Sequence, residues 1–328
     1  MIGLSHRKGW LVEPRKDRWH QQPTALFGGV AIFVATLYGA GLLVERWGVE
    51  GRLDLLGLLF GASTIFLVGW LDDRRPMNPQ AKFVGQMMAI TPFLMGVGLQ
   101  RMSEGFMIAI PLVFLWMLGI SNAFNLLDNM DGLSAGVSAV VAGVLAGRAM
   151  LLGDPDVASL ALSVVLACLG FLWFNCPPGR PARIFMGDCG SLFLGYMLAG
   201  LVTVGFWGNV RGAPQTAFLP PLIMAVPIFD TLLVIVRRRR EGRAISQGGR
   251  DHSSHRLVYA GFSERGAVLS LVVLAAFTGG AALLVERSGS RVWFGVAFAV
   301  AAMGLGCLGV WLSRFSSQPR GVTLSQTA

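Results

Sequence analysis

The sequence predicts an all-α fold, a polytopic membrane bundle of about ten transmembrane helices. Three observations predict it. Hydrophobic residues make up 54% of the 328 and charged residues only 14%, against about 25% charged in an average soluble protein. The apolar residues come in continuous runs near the roughly 20 that a helix needs to cross a bilayer, without the alternation of barrel strands. The basic residues gather in alternate connections, as in chains that cross a membrane repeatedly.

The first run, 24–45, follows a polar, basic stretch and carries Gly28-Gly29 near its start. Run 54–71 stops at Asp72-Asp73, and 83–100 begins after Lys82. Run 106–124 ends among Asn122 and Asn125, and 133–152 resumes after Gly132. Runs 158–174 and 189–207 flank a polar stretch that closes on Gly187-Asp188, and 217–236 stops at Arg237–Arg240. Runs 266–285 and 291–312 complete the set. Stretches 133–147 and 295–309 are rich in Gly and Ala. Such small residues let helices approach closely where lipid supplies no hydrophobic drive.

An even number of crossings puts both termini on one side. The connections of that side (1–23, 72–82, 125–132, 175–188, 237–265, 313–328) hold 20 Lys+Arg, and those of the other side (46–53, 101–105, 153–157, 208–216, 286–290) hold 5. The positive-inside tendency makes the first side cytoplasmic. That side is also expected to carry every clustered carboxylate, both late histidines and the Gly-rich turns, whereas the other side has short loops without recognisable chemistry. The net charge of +9 therefore marks contact with anionic membrane lipid rather than nucleic acid. Cys168, Cys176, Cys189 and Cys307 form no C-x-x-C pair and read as small hydrophobes, with neither disulfides nor zinc expected. No cleavable signal peptide is expected in the polar first 23 residues.

Four clusters carry chemistry. Asp72-Asp73-Arg74-Arg75, with Lys82 and Gln86 following, suits a cation or a proton acceptor at a membrane boundary, or is a solvated helix end with Asp paired to Arg. In Asn122-Ala-Phe-Asn125-Leu-Leu-Asp128-Asn129-Met-Asp131-Gly132-Leu133, a helical spacing would put Asn125, Asp128 and Asp131 on roughly one face. Two carboxylates and an amide oxygen are hard ligands of the kind Mg2+ takes together with water and phosphate oxygens; the plainer reading is a capping turn. Arg183-Ile-Phe185-Met-Gly187-Asp188-Cys-Gly190-Ser191 opens a helix, with Asp188 either a functional acid or a simple N-cap. The loop Arg250-Asp251-His252-Ser253-Ser254-His255-Arg256 offers donors for a diphosphate, or is a solvated basic loop. Asp230 within the run before it is a functional group or the partner of an arginine. The strip Arg15–Gln22 reads as a lipid-binding patch or as topology signal. Taken jointly, hard-cation ligands, anion donors and a bilayer imply phosphate chemistry on an anchored lipid.

These residues resemble, in order, the motifs of the polyprenyl-phosphate N-acetylhexosamine-1-phosphate transferases, the superfamily that includes phospho-N-acetylmuramoyl-pentapeptide transferase. The likeness spans roughly 15–265: Arg15–Gly29, Asp72-Asp73 with Lys82 and Gln86, Asn122–Leu133, Ile184–Ser191, Pro227–Asp230 and His252–Leu257. Asn129 stands where the family pattern has Gly, and Ser254 where it has a further His. A spanning helix that many members place ahead of the Gly-Gly segment is not expected here. The resemblance implies transfer of HexNAc-1-phosphate, most commonly GlcNAc-1-phosphate, from a UDP-HexNAc to undecaprenyl phosphate, releasing UMP, with Mg2+ (or Mn2+) as cofactor. This would be the first membrane step of a cell-envelope glycan pathway, on the cytoplasmic side of a bacterial inner membrane. It implies Asp188, with Asp131 and Asn125, as metal ligands. Asp72, Asp73, Asp128 and Asp131 are implied as catalytic acids, either a base or further metal contacts. Lys82, Asn122, Asn125, His252, His255, Arg250 and Arg256 are implied to bind substrate and its phosphates. The domain reading is a cytoplasmic basic segment 1–23, one transmembrane catalytic domain 24–312 with the cytoplasmic His/Arg loop 237–265, and a tail 313–328. A second copy of the chain, packed on 295–309, is a candidate partner.

Two rival classes fit parts of the pattern. A Mg-dependent intramembrane prenyltransferase would need a second Asp-rich repeat, where the sequence instead has Gly-Asp-Cys-Gly-Ser and a basic loop. An ion-coupled transporter would hold its carboxylates at the midplane between inverted repeats.

Overall fold

The computed structural model describes residues 2–8, 11–12, 24–47, 51–100, 106–207, 219–245 and 248–315. A short helix α1 (Ile2–Lys8) and strand β1 (Leu11–Val12) precede β2 (Thr24–Ala25). The bundle then comprises α2 (Gly28–Trp47), α3 (Leu53–Arg74), α4 (Pro79–Gln100), α5 (Phe106–Leu127), α6 (Leu133–Leu151) and α7 (Pro155–Asn175). It continues through α8 (Asp188–Val202), a π-helical turn (Thr203–Trp207), α9 (Pro220–Ile223), α10 (Ala225–Arg240), α11 (Ser253–Tyr259), α12 (Glu264–Ser288) and α13 (Arg291–Leu312). The strip Arg15–Gln22 lies outside the described residues.

All ten apolar runs carry helix, but seven of the described helices are long and apolar enough to cross a membrane: α3, Ile110–Leu127 of α5, α6, α7, Asp188–Phe206, α12 and α13. This is a multi-pass membrane bundle. The exceptions have local causes. The apolar part of α2 is short, Gly28–Val44. The first turns of α4 carry Gln80, Lys82 and Gln86. The run 217–236 is broken, because α9 stops at Ile223 and α10 ends in four arginines. Nor is the chain wholly helical: β1 and β2 pair antiparallel, and Ala25 bridges to Ile184 in parallel.

The centre of the bundle is α8, with α2, α3, α5 and α6 packed round it. Its apolar window is 94% buried, whereas that of α13 is 6% buried. A helix apolar on every side belongs in an interior, and small residues let its neighbours close in. A Cβ at Gly195 would sit 2.8 Å from Ser121 Cα of α5.

The 22 residues of α3 span about 33 Å, so its two ends mark two faces. The carboxylates do not all collect at one. Arg52, just ahead of α3, is ion-paired with Asp54, Asp154 and Asp156 at 3.1–3.2 Å, at the end of α3 opposite Asp72 and Asp73. The expectation that one side holds every acidic cluster is corrected here: Asp154 and Asp156 open α7 and were too far in sequence from Arg52 to be read with it.

Candidate active site

The site is assembled at the N-terminus of α8. The stretch ahead of α2 lies along the stretch ahead of α8. Phe185 N–H donates to Ala25 O (2.8 Å), Gly28 N–H to Phe185 O (2.8 Å) and Gly29 N–H to Met186 O (2.9 Å). Gly29 and Gly190 then meet back to back; a Cβ at Gly29 would lie 2.4 Å from Gly190 N. Gly187 turns the chain into α8 with φ +77°, and a Cβ there would meet an Asp73 carboxylate oxygen at 2.6 Å. Only glycine satisfies both conditions.

Asp73, at the end of α3, accepts from the backbone N–H groups of Asp188 (2.8 Å) and Cys189 (3.0 Å). The open amides that begin α8 are thus capped by an acid from another helix, and the helix dipole favours a negative charge at that point. Asp188 itself is the first residue of α8, with Gly187 at the cap position; its carboxylate reaches back to Lys82.

Lys82 Nζ lies 2.5 Å from Asp188 Oδ2 and 2.8 Å from Asp72 Oδ2. The other oxygen of Asp72 accepts from Met77 N–H (2.6 Å), closing the turn between α3 and α4. One turn along α4, the buried Gln86 exchanges two 3.0 Å amide hydrogen bonds with Asn122. Asn125 donates to Ser191 Oγ (3.0 Å), which donates to Gly187 O (3.1 Å). Asn175, at the end of α7, accepts from Gly132 N–H (2.7 Å) and donates to Ile184 O (2.9 Å). The second cluster is therefore fastened to the third at two points.

The basic loop folds over the 125–131 segment. Asp230 of α10, fully buried, faces His252 Nδ1 at 2.8 Å and accepts from Ser253 N–H (2.7 Å) and Oγ (2.6 Å). Its partners are a histidine and a serine rather than an arginine. The His252 and His255 rings are 5.6 Å apart. Burial, and then the charge of His252, push His255 down to about 4. Burial alone would raise Asp251, but the hydrogen bonds and charge of Arg238, with His252 and Arg243 adding theirs, hold it at about 2. Arg250 lies close enough to His255 to disfavour its protonation. Ser254 Oγ donates to Asn129 Oδ1 at 2.6 Å.

Among the described residues no group of three or more His, Cys, Asp or Glu is gathered as a metal cage. Mg2+ does not need one, since it binds through one or two carboxylates with water and substrate phosphates completing its shell. Asp72 and Asp188 already share a cation, the Lys82 ammonium, and Asn125 is tied to the same helix start. That donor set fits Mg2+.

Residues 55–206 match the family described as Glycosyl transferase family 4. Over 94% of its length the chain is 33% identical to a probable undecaprenyl-phosphate N-acetylglucosaminyl 1-phosphate transferase of Bacillus subtilis (strain 168), covering 80% of that protein. The chain belongs to the polyprenyl-phosphate N-acetylhexosamine-1-phosphate transferase family. It is also 32% identical, over 91% of its length and 81% of the relative, to a decaprenyl-phosphate N-acetylglucosaminephosphotransferase of Mycolicibacterium smegmatis. A phospho-N-acetylmuramoyl-pentapeptide-transferase of Lacticaseibacillus paracasei is 32% identical over 59% of this chain and 65% of its own.

This polyprenyl-phosphate transferase is an enzyme of the phosphotransferase class, and its structure brings the candidate residues together unevenly. Asp72, Asp73, Lys82 and Asp188 touch directly, and Asn122 and Asn125 join through Gln86 and Ser191. Asp128 ends the last turn of α5, its N–H bonded to Phe124 O. Asp131 is at the surface, in the field of Glu264 and Arg265 at the start of α12. His252, His255 and Arg250 line the basic loop. Arg256 is taken up by backbone, donating to the carbonyl of Asp251 within the loop and to those of Leu312 and Phe315 at the end of α13. Sequence patterns drew no attention to Asn175, although a lone Asn closing an apolar run was a visible signal, and Ser191 stood in the third cluster without a role of its own. Those patterns held no signal for Asp73 as a cap, because the amides it binds are 115 and 116 residues away.

Proposed function

We propose that this enzyme transfers HexNAc-1-phosphate, with GlcNAc-1-phosphate as the leading donor group, from a UDP-sugar to undecaprenyl phosphate. An oxygen of the lipid phosphate attacks the sugar-linked phosphorus of the donor. A P–O bond forms there while the bond to the bridging oxygen breaks, and that electron pair leaves with UMP. The products are undecaprenyl-diphospho-sugar and UMP. The reaction takes place on the cytoplasmic side of a bacterial inner membrane and starts a cell-envelope glycan.

One observation carries this reading: two carboxylates from different helices, Asp72 and Asp188, converge on one ammonium at a capped helix start in an apolar bundle. Asp188, with Asp72 as second contact and Asn125 beside it, would hold Mg2+. Bound there, the ion draws charge from the phosphate oxygens. Lys82 pairs with a phosphate oxygen once substrate enters. Asp73 holds the α8 amides so that Asp188 keeps its aim. His252, oriented by Asp230, and Arg250 meet the diphosphate from the opposite loop. A lipid phosphate ester has a second pKa of about 6, so near neutral pH it attacks without needing a protein base.

The test is product analysis with purified enzyme, Mg2+, undecaprenyl phosphate and a set of radiolabelled UDP-sugars. UMP formed only when lipid phosphate is present supports the reading. Pyrophosphate release, or no turnover with any UDP-HexNAc, overturns it.

A further inference from the structure

Positions 129 and 254 are the two at which the motif resemblance leads to the expectation of other residues, Gly and His, and they lie 125 residues apart in the chain. In the folded protein they touch. Ser254 Oγ donates to Asn129 Oδ1 at 2.6 Å, and Ser254 is fully buried. The Asn129 amide nitrogen in turn donates to Leu126 O at 2.8 Å, finishing the last turn of α5. The asparagine stands between Asp128 and Asp131, and the serine between His252 and His255. The two preceding residues of the same turn, His252 and Ser253, are bound to Asp230. The histidine turn is therefore gripped from both sides, by α10 through Asp230 and by the 125–131 segment through Asn129.

Position 129 has no conformational need for glycine. Among described residues the only non-glycine with positive φ is Phe27. A glycine at 129 would have no side chain to reach Ser254. A histidine at 254 would direct a ring at the space the Asn129 amide fills. Each departure alone breaks the contact, and together they make a new one. A buried hydroxyl that loses its acceptor is costly, so the two substitutions are energetically linked.

We infer that Asn129 and Ser254 are a coupled positioning pair that fixes the Asp128–Asp131 segment against the His252–His255 turn, and so sets this enzyme's grip on the diphosphate of its sugar nucleotide. The grip on a sugar nucleotide rests on the function proposed above; the coupling of the two residues does not.

The experiment is a double-mutant cycle on the full-length enzyme in detergent, Asn129→Gly, Ser254→Ala and both, with kcat, KM for UDP-GlcNAc and thermal unfolding measured for each. Each single change is expected to raise KM about 5-fold with kcat within about 2-fold, and the double no more than either single, the signature of one shared interaction. Additive KM changes, or singles that lower only the melting temperature, overturn the proposal. If wild type turns over no UDP-HexNAc, the proposed function fails separately. The unfolding cycle then decides the pair: non-additive losses support it and additive losses overturn it.

Discussion

Asp73 and Asp188, on two different helices, are joined through backbone rather than through charge: the carboxylate of Asp73 accepts the N–H of Asp188 at 2.8 Å. The acid at the end of α3 thereby dictates where the acid at the start of α8 stands. Replacing Asp73 by Ala should cost about 1–2 kcal/mol of stability, the range for losing a helix cap, and cut kcat severely. Asp73→Asn keeps an acceptor oxygen, so its unfolding temperature should lie nearer wild type. Thermal unfolding alongside UMP release separates the two effects; equal melting for both variants would count against the capping role.

Lys82 neutralises two carboxylates that come from α3 and α8. In Lys82→Met they face each other without a counter-ion, a change that costs about 3–5 kcal/mol where the groups are buried and less at this half-buried site. A divalent cation relieves the same repulsion. The expected result is a melting temperature that rises more with Mg2+ in Lys82→Met than in wild type, with EDTA abolishing the difference. A variant insensitive to Mg2+ would count against a cation held by Asp72 and Asp188.

Stability should fall with acid in a defined window. His255 is held down at about 4 against an ordinary 6.5. The unfolded chain takes up a proton near pH 6.5 while the folded protein refuses it. Stability present above pH 6.5 is therefore lost as pH drops toward 4, by up to about 3 kcal/mol. Asp251, held at about 2, adds a second loss below the ordinary carboxylate range, between about pH 4 and 2. Melting temperature against pH for wild type and His255→Gln checks this: the variant should be flatter between pH 6.5 and 4.

The opposite end of the bundle offers a control. Arg148 of α6 makes a two-pronged contact with Glu286 of α12 and donates to Gly205 O in the π-helical turn. Glu286→Gln should lower stability by about 2–3 kcal/mol, because it leaves a mostly buried guanidinium short of its counter-charge. KM for the sugar nucleotide should not change. A raised KM in this variant would mean that the two ends communicate.

The helices were legible because a bilayer demands long apolar runs, and α3, α6, α7, α12 and α13 follow that demand within a few residues. The motif clusters were legible too, since acids and asparagines stand out against Leu, Val and Ala. Partnership was harder to read. Asp230 announced itself as a buried acid, but its partner could be named only once the chain brought Ser253 and His252 to it. Arg256 looked like a phosphate ligand in a basic loop, yet Leu312 and Phe315 lie beside it. Residues 25–29 resembled the start of a helix, and nothing local revealed that Ala25 pairs with Ile184. In each case the deciding neighbour lies more than 20 residues away.

The grip of Arg256 on the carbonyls at Leu312 and Phe315 bears on how the protein is made. Helix α13 buries little of itself, yet its end receives a guanidinium from the segment that carries both late histidines. A nascent chain still short of residue 312 lacks those acceptors. The histidine turn is thus synthesised ahead of two of the three carbonyls that hold its Arg256, and the guanidinium reaches its full set of acceptors only when the end of α13 is in place.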